Sequence, residues 1–252
     1  MEGTITTAAP NRIAVVTGGN KGIGLEICRQ LALNEVMVVL TARDKQKGAL
    51  TLLKISKFVA DYIKNKFGKL DVLGSMVMGA RAHLAKKAMK ETYETVEEYY
   101  GPKQLTQALL PLLQLSNSTR IVNVSSTLGQ LKVAKKVLNK GDKLAEEKVD
   151  EVVNQFLKDV KQDMLETKRW PINFSAYVVS KAALNAYSRI LATKFLNFRV
   201  NCVSPGFVKT DMNCNNGGFD DEEGTKDPVA LALTPVDGPS GLFFDRMEIS
   251  RF

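Results

Sequence analysis

At 252 residues, with 44% hydrophobic and 25% charged side chains, the chain has the length and composition of one water-soluble globular domain. Lys and Arg number 35 against 27 Asp and Glu, a net charge of +8. The basic residues are scattered among acids, with no run of five and no aromatic interleaving, which argues against nucleic acid and for a small anionic ligand.

The opening residues MEGTITTAAPNR have no apolar stretch that would serve as a secretory signal. No run in the chain reaches the roughly 18 residues that span a bilayer. A cytosolic location is therefore expected, without membrane contact. Arg12–Thr17 (RIAVVT) is a β-branched run that ends in glycines and predicts a buried strand. Ile23, Ile27, Leu31 and Ala32 mark one face of a helix over Gly22–Leu33, and Val36–Leu40 is a second buried strand. Strand, glycine turn, helix and strand within about 30 residues make a βαβ unit, hence a parallel sheet.

Residues 45–67 read as mainly helical, and Leu70–Met78 as a strand weakened by Gly74. Helical stretches over 81–98 and 102–114 lead to a strand at Arg120–Ser125. The charged segment 140–168 carries apolar residues at helical spacing, and Ser175–Phe195 is a helix before the strand Arg199–Ser204. Asn213–Asp227, rich in Gly, Asp and Glu, reads as a polar loop, and Gly241–Phe244 as a short closing strand. The fold class is α/β: a Rossmann-type, doubly wound parallel sheet with helices on both faces, one domain over 1–252 with a helical insertion at about 130–174. Cys28, Cys202 and Cys214 form no C-x-x-C pair and His83 is the sole histidine, so reduced thiols are expected and a zinc site is not.

Gly18, Asn20, Lys21, Gly22, Ile23 and Gly24 belong to the turn between the first strand and helix. Glycines let the backbone come close to a ligand, and the helix start beyond them offers N–H groups and a positive dipole end to a diphosphate. Arg43 stands 19 residues after Gly24, where NAD-selective sites carry an acid; an arginine suits a 2′-phosphate, and Lys21 adds a second positive charge. Tyr177 and Lys181 are i, i+4 neighbours on one helix face. An ammonium beside a phenol favours the phenolate, so the phenol can give a proton to a carbonyl oxygen and reclaim it in reverse. Ser126, at the tip of its strand, could hydrogen-bond the same oxygen.

Glycine turn, serine-tipped strand and Tyr-Lys helix, in this order, resemble the short-chain dehydrogenase/reductase family, in its plant carbonyl-reductase-like branch. The matching stretches are TGGNKGIG (17–24), TARD (41–44), RIVNVSSTLG (120–129), SAYVVSKAALNAY (175–187), RVNCVSPGFVKTDM (199–212) and GPSGLFF (238–244). The resemblance implies a carbonyl reductase or alcohol dehydrogenase that moves a hydride between NADP(H) and a hydrophobic ketone or aldehyde. Ser126, Tyr177 and Lys181 would be its catalytic trio, with Lys181 also on the nicotinamide ribose and the Val208 backbone and Thr210 hydroxyl at the carboxamide. In this branch an insertion like 130–174 packs beside the active site over a surface that other members use to oligomerise, so a monomer is implied. Trp170, Phe174, Phe207 and Met212 suggest a bulky apolar substrate, with a core position the equal alternative for Trp170.

Three departures from that pattern stand out. Only 26 residues (45–70) separate the end of the second strand from Asp71, where helix, strand and helix would need about 35. The family's third strand and its adenine-contacting acid are thus expected to be missing, which leaves the second strand at a sheet edge. Gly74–Gly79 replaces an Asn-Asn-Ala-Gly turn, and Glu98 stands where the family has an asparagine that supports a relay water. These gaps open a second reading: a catalytically impaired, reductase-derived scaffold that binds NADP weakly or serves as a protein-interaction module.

Overall fold

The computed structural model describes residues 12–42, 50–75, 92, 95–129 and 145–250. β1 (Arg12–Thr17), α1 (Gly22–Leu33) and β2 (Val36–Thr41) follow one another as the apolar periodicity predicts. α2 (Leu50–Phe67) then crosses to β3 (Val72–Ser75), which lies on the other side of β1. A π-helical turn (Val96–Tyr100) runs into α3 (Gly101–Leu113) and β4 (Arg120–Val124). α4 (Glu146–Lys161), α5 (Ser175–Lys194), β5 (Arg199–Ser204), α6 (Asp221–Leu233), β6 (Phe243–Asp245) and β7 (Glu248–Ser250) complete the described elements.

The strands form one sheet in the order β2-β1-β3-β4-β5-β6-β7, parallel except for β7. Alternation along each strand builds two cores. Ile13, Val15, Leu73 and Ile121 pack against α2, α3, α4 and α5; Ala14, Val16, Val72 and Val203 pack against α1 and α6. The chain turns one way from β1 to β2 and the other way to β3, so a crevice opens at the carboxyl ends of these strands, where open α/β sheets bind ligands. Among the described residues α2 is the one element between β2 and β3, and β2 is the sheet edge; read as a buried strand, it keeps only Val36 buried, while Met37 and Leu40 are 41% and 48% exposed. Among the described residues no helix is long and apolar enough to cross a membrane.

Several boundaries differ from the sequence reading. α4 stops at Lys161 and the chain continues through turns at 162–163 and 165–169, where Asp163 and Arg169 take left-handed backbone angles. Asn213–Asp227 is not wholly a loop: α6 begins at Asp221, capped by the Asp220 carboxylate accepting from the Glu223 N–H at 2.7 Å. Three acids in that first turn complement the helix dipole, so their polarity starts a helix here. The closing strand is displaced to Phe243–Asp245 and returns as a hairpin through β7. Most of 81–98, and residues 76–80 and 140–144, lie outside the described residues, as does Arg43.

At the amino ends of the strands, Asp71 is buried and accepts from the Ile13 N–H (2.8 Å), the Ser116 hydroxyl (2.5 Å) and Lys69 (3.0 Å). Arg120 beside it gives its guanidinium to the carbonyls of Ser118 and Thr234. These bonds tie β1, β4 and the end of α6 into one polar seam.

Candidate active site

α1 folds back so tightly on the turn after β1 that a Cβ on Gly24 would lie 2.1 Å from the Gly18 carbonyl oxygen; no side chain fits there. The Gly19 N–H donates to the Thr41 carbonyl at 3.1 Å, which ties the turn to the end of β2. Lys21 is the N-cap of α1 but makes no side-chain cap bond, so no capping side chain covers the helix start. Its Nζ instead meets the Asp211 carboxylate at 2.7 Å, both side chains exposed. Asn20 is exposed, and a Cβ built on Gly22 would stand 3.8 Å from Thr210 Cγ2, so the turn faces the loop that follows β5.

On the far side of the crevice β4 is followed by Ser125 and Ser126 and then by a 3₁₀ turn, Thr127–Gly129. The Ser126 hydroxyl oxygen accepts from the Leu128 N–H at 3.2 Å. Gly129 lies against α5: a Cβ there would fall 2.6 Å from Lys181 Cβ and 2.8 Å from its carbonyl carbon. Lys181 is 2% exposed; its Nζ donates to the Val124 carbonyl at 3.2 Å and sits 5.4 Å from the centroid of the Tyr177 ring. Glu98, on the π-helical turn, is 0% exposed. Its Oε2 accepts from the Ser180 hydroxyl at 2.8 Å and lies 3.9 Å from Lys181 Nζ.

Burial raises the thiols of Cys28, to about 11, and Cys202, to about 12, although Ser188 and the Lys181 charge pull the latter down. Neither is a thiolate nucleophile at neutral pH. Burial likewise raises Tyr99, Tyr187 and, to about 12, Tyr100.

Both sides open onto one cleft of about 1090 Å³. Ser126, Tyr177, Lys181, Ile23, Val208 and Thr210 all line it, while Gly18, Asn20, Lys21, Gly22 and Gly24 form the adjoining turn. Its remaining wall is mixed: Leu128, Ile172, Phe174 (73% exposed) and Phe207 lie on it beside Asn173, Asn213, Asn216, Asp245 and Arg246. Trp170 is a core residue: its indole N–H donates to Asp159 at 2.8 Å and its ring packs edge-on against Phe156 at 5.2 Å, between α4 and α5. Phe219 and Arg246 line the cleft without having been singled out from sequence. The Asp220–Glu223 acid cluster ahead of Val229 and Leu231 was the available signal that a capped helix, and so an ordered wall, begins there.

The family described as short chain dehydrogenase matches residues 12–61, and the one described as Enoyl-(Acyl carrier protein) reductase matches residues 160–232. The chain is 45% identical to salutaridine reductase of Papaver bracteatum over 304 aligned positions that take in 98% of each protein. It is also 45% identical to a (+)-neomenthol dehydrogenase of Arabidopsis thaliana, over 96% of this chain and 98% of that one. The structure of salutaridine reductase from Papaver somniferum superposes with a TM-score of 0.83 at 41% identity, covering 93% of this chain and 99% of the other. An alignment of 304 positions is longer than 252 residues, so the relative carries internal positions that this chain lacks.

Proposed function

The chain belongs to the short-chain dehydrogenase/reductase family of oxidoreductases, and on that footing we propose that it is an NADP(H)-dependent carbonyl reductase acting on a hydrophobic ketone or aldehyde. The observation that carries this reading is that Ser126, Tyr177 and Lys181 line one cleft with Ile23 of the first helix turn and with Val208 and Thr210. The start of α1, which no capping side chain covers, and the exposed Asn20–Lys21 turn before it suit a diphosphate.

Gly18, Gly22 and Gly24 would hold that diphosphate, Lys21 and Arg43 the 2′-phosphate end, Tyr177 and Lys181 the nicotinamide ribose, and Val208 and Thr210 the carboxamide. A bound NADPH supplies the hydride. Tyr177 gives its phenolic proton to the carbonyl oxygen, Ser126 donates a hydrogen bond to the same oxygen, and Lys181 supports the phenolate that remains. The exposed rings of Phe174 and Phe207 on the cleft suit a bulky hydrophobic substrate. The same reading takes the molecule as a cytosolic monomer, supported by three free thiols and by α4 lying along α5.

NADPH oxidation with a panel of apolar ketones and aldehydes tests it. Tyr177→Phe is expected to lower turnover by about 10²- to 10⁴-fold with NADPH affinity unchanged. Undiminished turnover in that variant overturns the role of Tyr177. A second reading, an impaired scaffold that binds NADP weakly or docks other proteins, is favoured by the Glu98 carboxylate beside Lys181 and by the exposed β2 edge. NADPH fluorescence titration with a thermal melt separates the two: no binding up to millimolar cofactor supports the scaffold.

A further inference from the structure

We propose that Arg246 is a specificity-determining residue of this cleft: it binds a carboxylate carried by the substrate, several bonds away from the carbonyl that is reduced. The inference rests on the reductase reading given above and deepens it, by adding an anionic end to the hydrophobic substrate. It begins with backbone. Arg246 and Met247 are the two-residue loop that joins β6 to β7, with φ of 50° and 61°. Both are left-handed, the geometry of a type I′ turn, which Asn and Gly adopt at least cost and a long side chain does not. Strain of this kind collects at sites where a particular side chain is needed.

Register places that side chain. Val124 of β4 pairs with Val203 of β5, and Ser204 with Asp245 of β6. Ser126 and Arg246 therefore leave the sheet at the same level, two strands apart, a backbone separation of about 10 Å. The glycine turn after β1 lies four strands from β6, so Arg246 stands at the substrate end of the cleft, away from a diphosphate. Arg246 lines the cleft with its side chain 60% exposed. Its stem lies over Gly206, where a Cβ would stand 3.4 Å from Cδ, and its guanidinium carbon is 5.7 Å from the Phe219 ring centre. Glycine and ring thus steady a fork that is flat and always charged. Among the described residues its ion pair is with Asp245, through Nε at 3.9 Å. A guanidinium binds a carboxylate best through two parallel bonds, and one long contact at Nε does not use that capacity. Asp227, the other acid near it, is engaged by the Met247 N–H. Phe174 and Phe207 on the same cleft suit the apolar body between the two polar ends, and the chain's surplus of positive charge favours the approach of an anion.

The test compares ω-benzoyl alkanoic acids of increasing chain length with their methyl esters, in kcat/KM and in calorimetric binding in the presence of NADP⁺. At the chain length that spans the two ends, the acid is expected to surpass its ester by about 3- to 10-fold, with the gain in KM and not in kcat. Arg246→Gln keeps most of the stem over Gly206 and should erase the preference, while ester binding and NADPH affinity stay as they were. Arg246→Asn is the second variant: Asn suits the left-handed turn, so the preference should go while the melting temperature stays or rises. Arg246→Lys keeps the charge without the fork and should restore part of the preference. In the parent protein, about 1 M salt should shrink it. An acid that surpasses its ester at no chain length overturns the proposal, and so does a preference that survives in Arg246→Gln and Arg246→Asn. Loss of the preference only together with a lowered melting temperature and weaker ester binding also overturns it, because Arg246 would then serve the turn alone. Acid-selective binding that depends on Arg246, in a protein that never oxidises NADPH, leaves the proposal standing and removes the reductase reading instead.

Discussion

The two ends of the sheet bury charge in opposite ways. At the amino ends, Asp71 and Arg120 lie inside a seam of short hydrogen bonds to backbone and hydroxyl groups. At the carboxyl ends Lys181 and Glu98 are equally buried, yet they stand 3.9 Å apart on the wall of a large cleft. Charges whose partners all sit within bonding distance do nothing but hold strands in register. The pair at the carboxyl ends is instead held slightly apart beside an opening, with Lys181 Nζ also 5.4 Å from the centre of the Tyr177 ring.

Removing Asp71 is the strongest way to break this contrast. Asp71→Ala strands the Ile13 N–H and the Ser116 hydroxyl in the core and takes the anion from Lys69. The expected loss is about 3–5 kcal/mol of stability. For a domain of this size that is on the order of 10 °C in Tm. Below its melting range the variant should bind NADPH as the parent does. A loss of stability smaller than about 1 kcal/mol in urea unfolding would mean that the seam is not structural in the sense argued.

Gly129→Ala probes the carboxyl end. Its new methyl would meet Lys181 Cβ at 2.6 Å and the α5 backbone at 2.8 Å, so the 3₁₀ turn must give way, and Ser126 stands at its start. Overpacking of this kind costs about 1–3 kcal/mol. Displacing Ser126 by a fraction of an ångström should lower kcat by roughly 10- to 100-fold, out of proportion to the change in melting temperature. A folded variant with full kcat would show that this turn does not set the serine.

What could be read in advance follows from what each feature depends on. β1, α1, β5 and the Tyr177–Lys181 helix are visible because period-two and helical apolar patterns and a glycine turn are local signals. The β2 edge was legible from chain length alone, since 26 residues hold one crossover helix and no more. The β6–β7 hairpin was not: its turn residues Arg246 and Met247 take φ of 50° and 61° without the Gly or Asn that advertises such a turn. Glu98 was noticeable only as an unexpected residue type. Its burial and its distance from Lys181 arise from a π-helical turn and from packing between distant segments, which leave no periodic trace. Trp170 shows the same limit, because an aromatic ahead of a helix reads alike whether it faces a cleft or, as here, Phe156 and Asp159.

The smallest effect is expected where charge is fully wet. Lys21 and Asp211 pair at 2.7 Å across the mouth between the glycine turn and the loop after β5, with side chains 60% and 71% exposed. Water screens such a pair, so it adds little to stability. If dinucleotide phosphates seat at the turn, however, Lys21 must turn from Asp211 toward them while the carboxylate repels them. Asp211→Asn should then tighten NADPH about two- to fivefold at low ionic strength, and Lys21→Ala should weaken it by a similar factor. Near 1 M salt, where screening acts within about 3 Å, the gain should vanish. In the double variant, replacing Asp211 should no longer help, because the cation it competes for is gone. Weaker NADPH binding by Asp211→Asn would mean that the carboxylate serves the ligand rather than opposing it, and the phosphates would have to be sought away from Lys21.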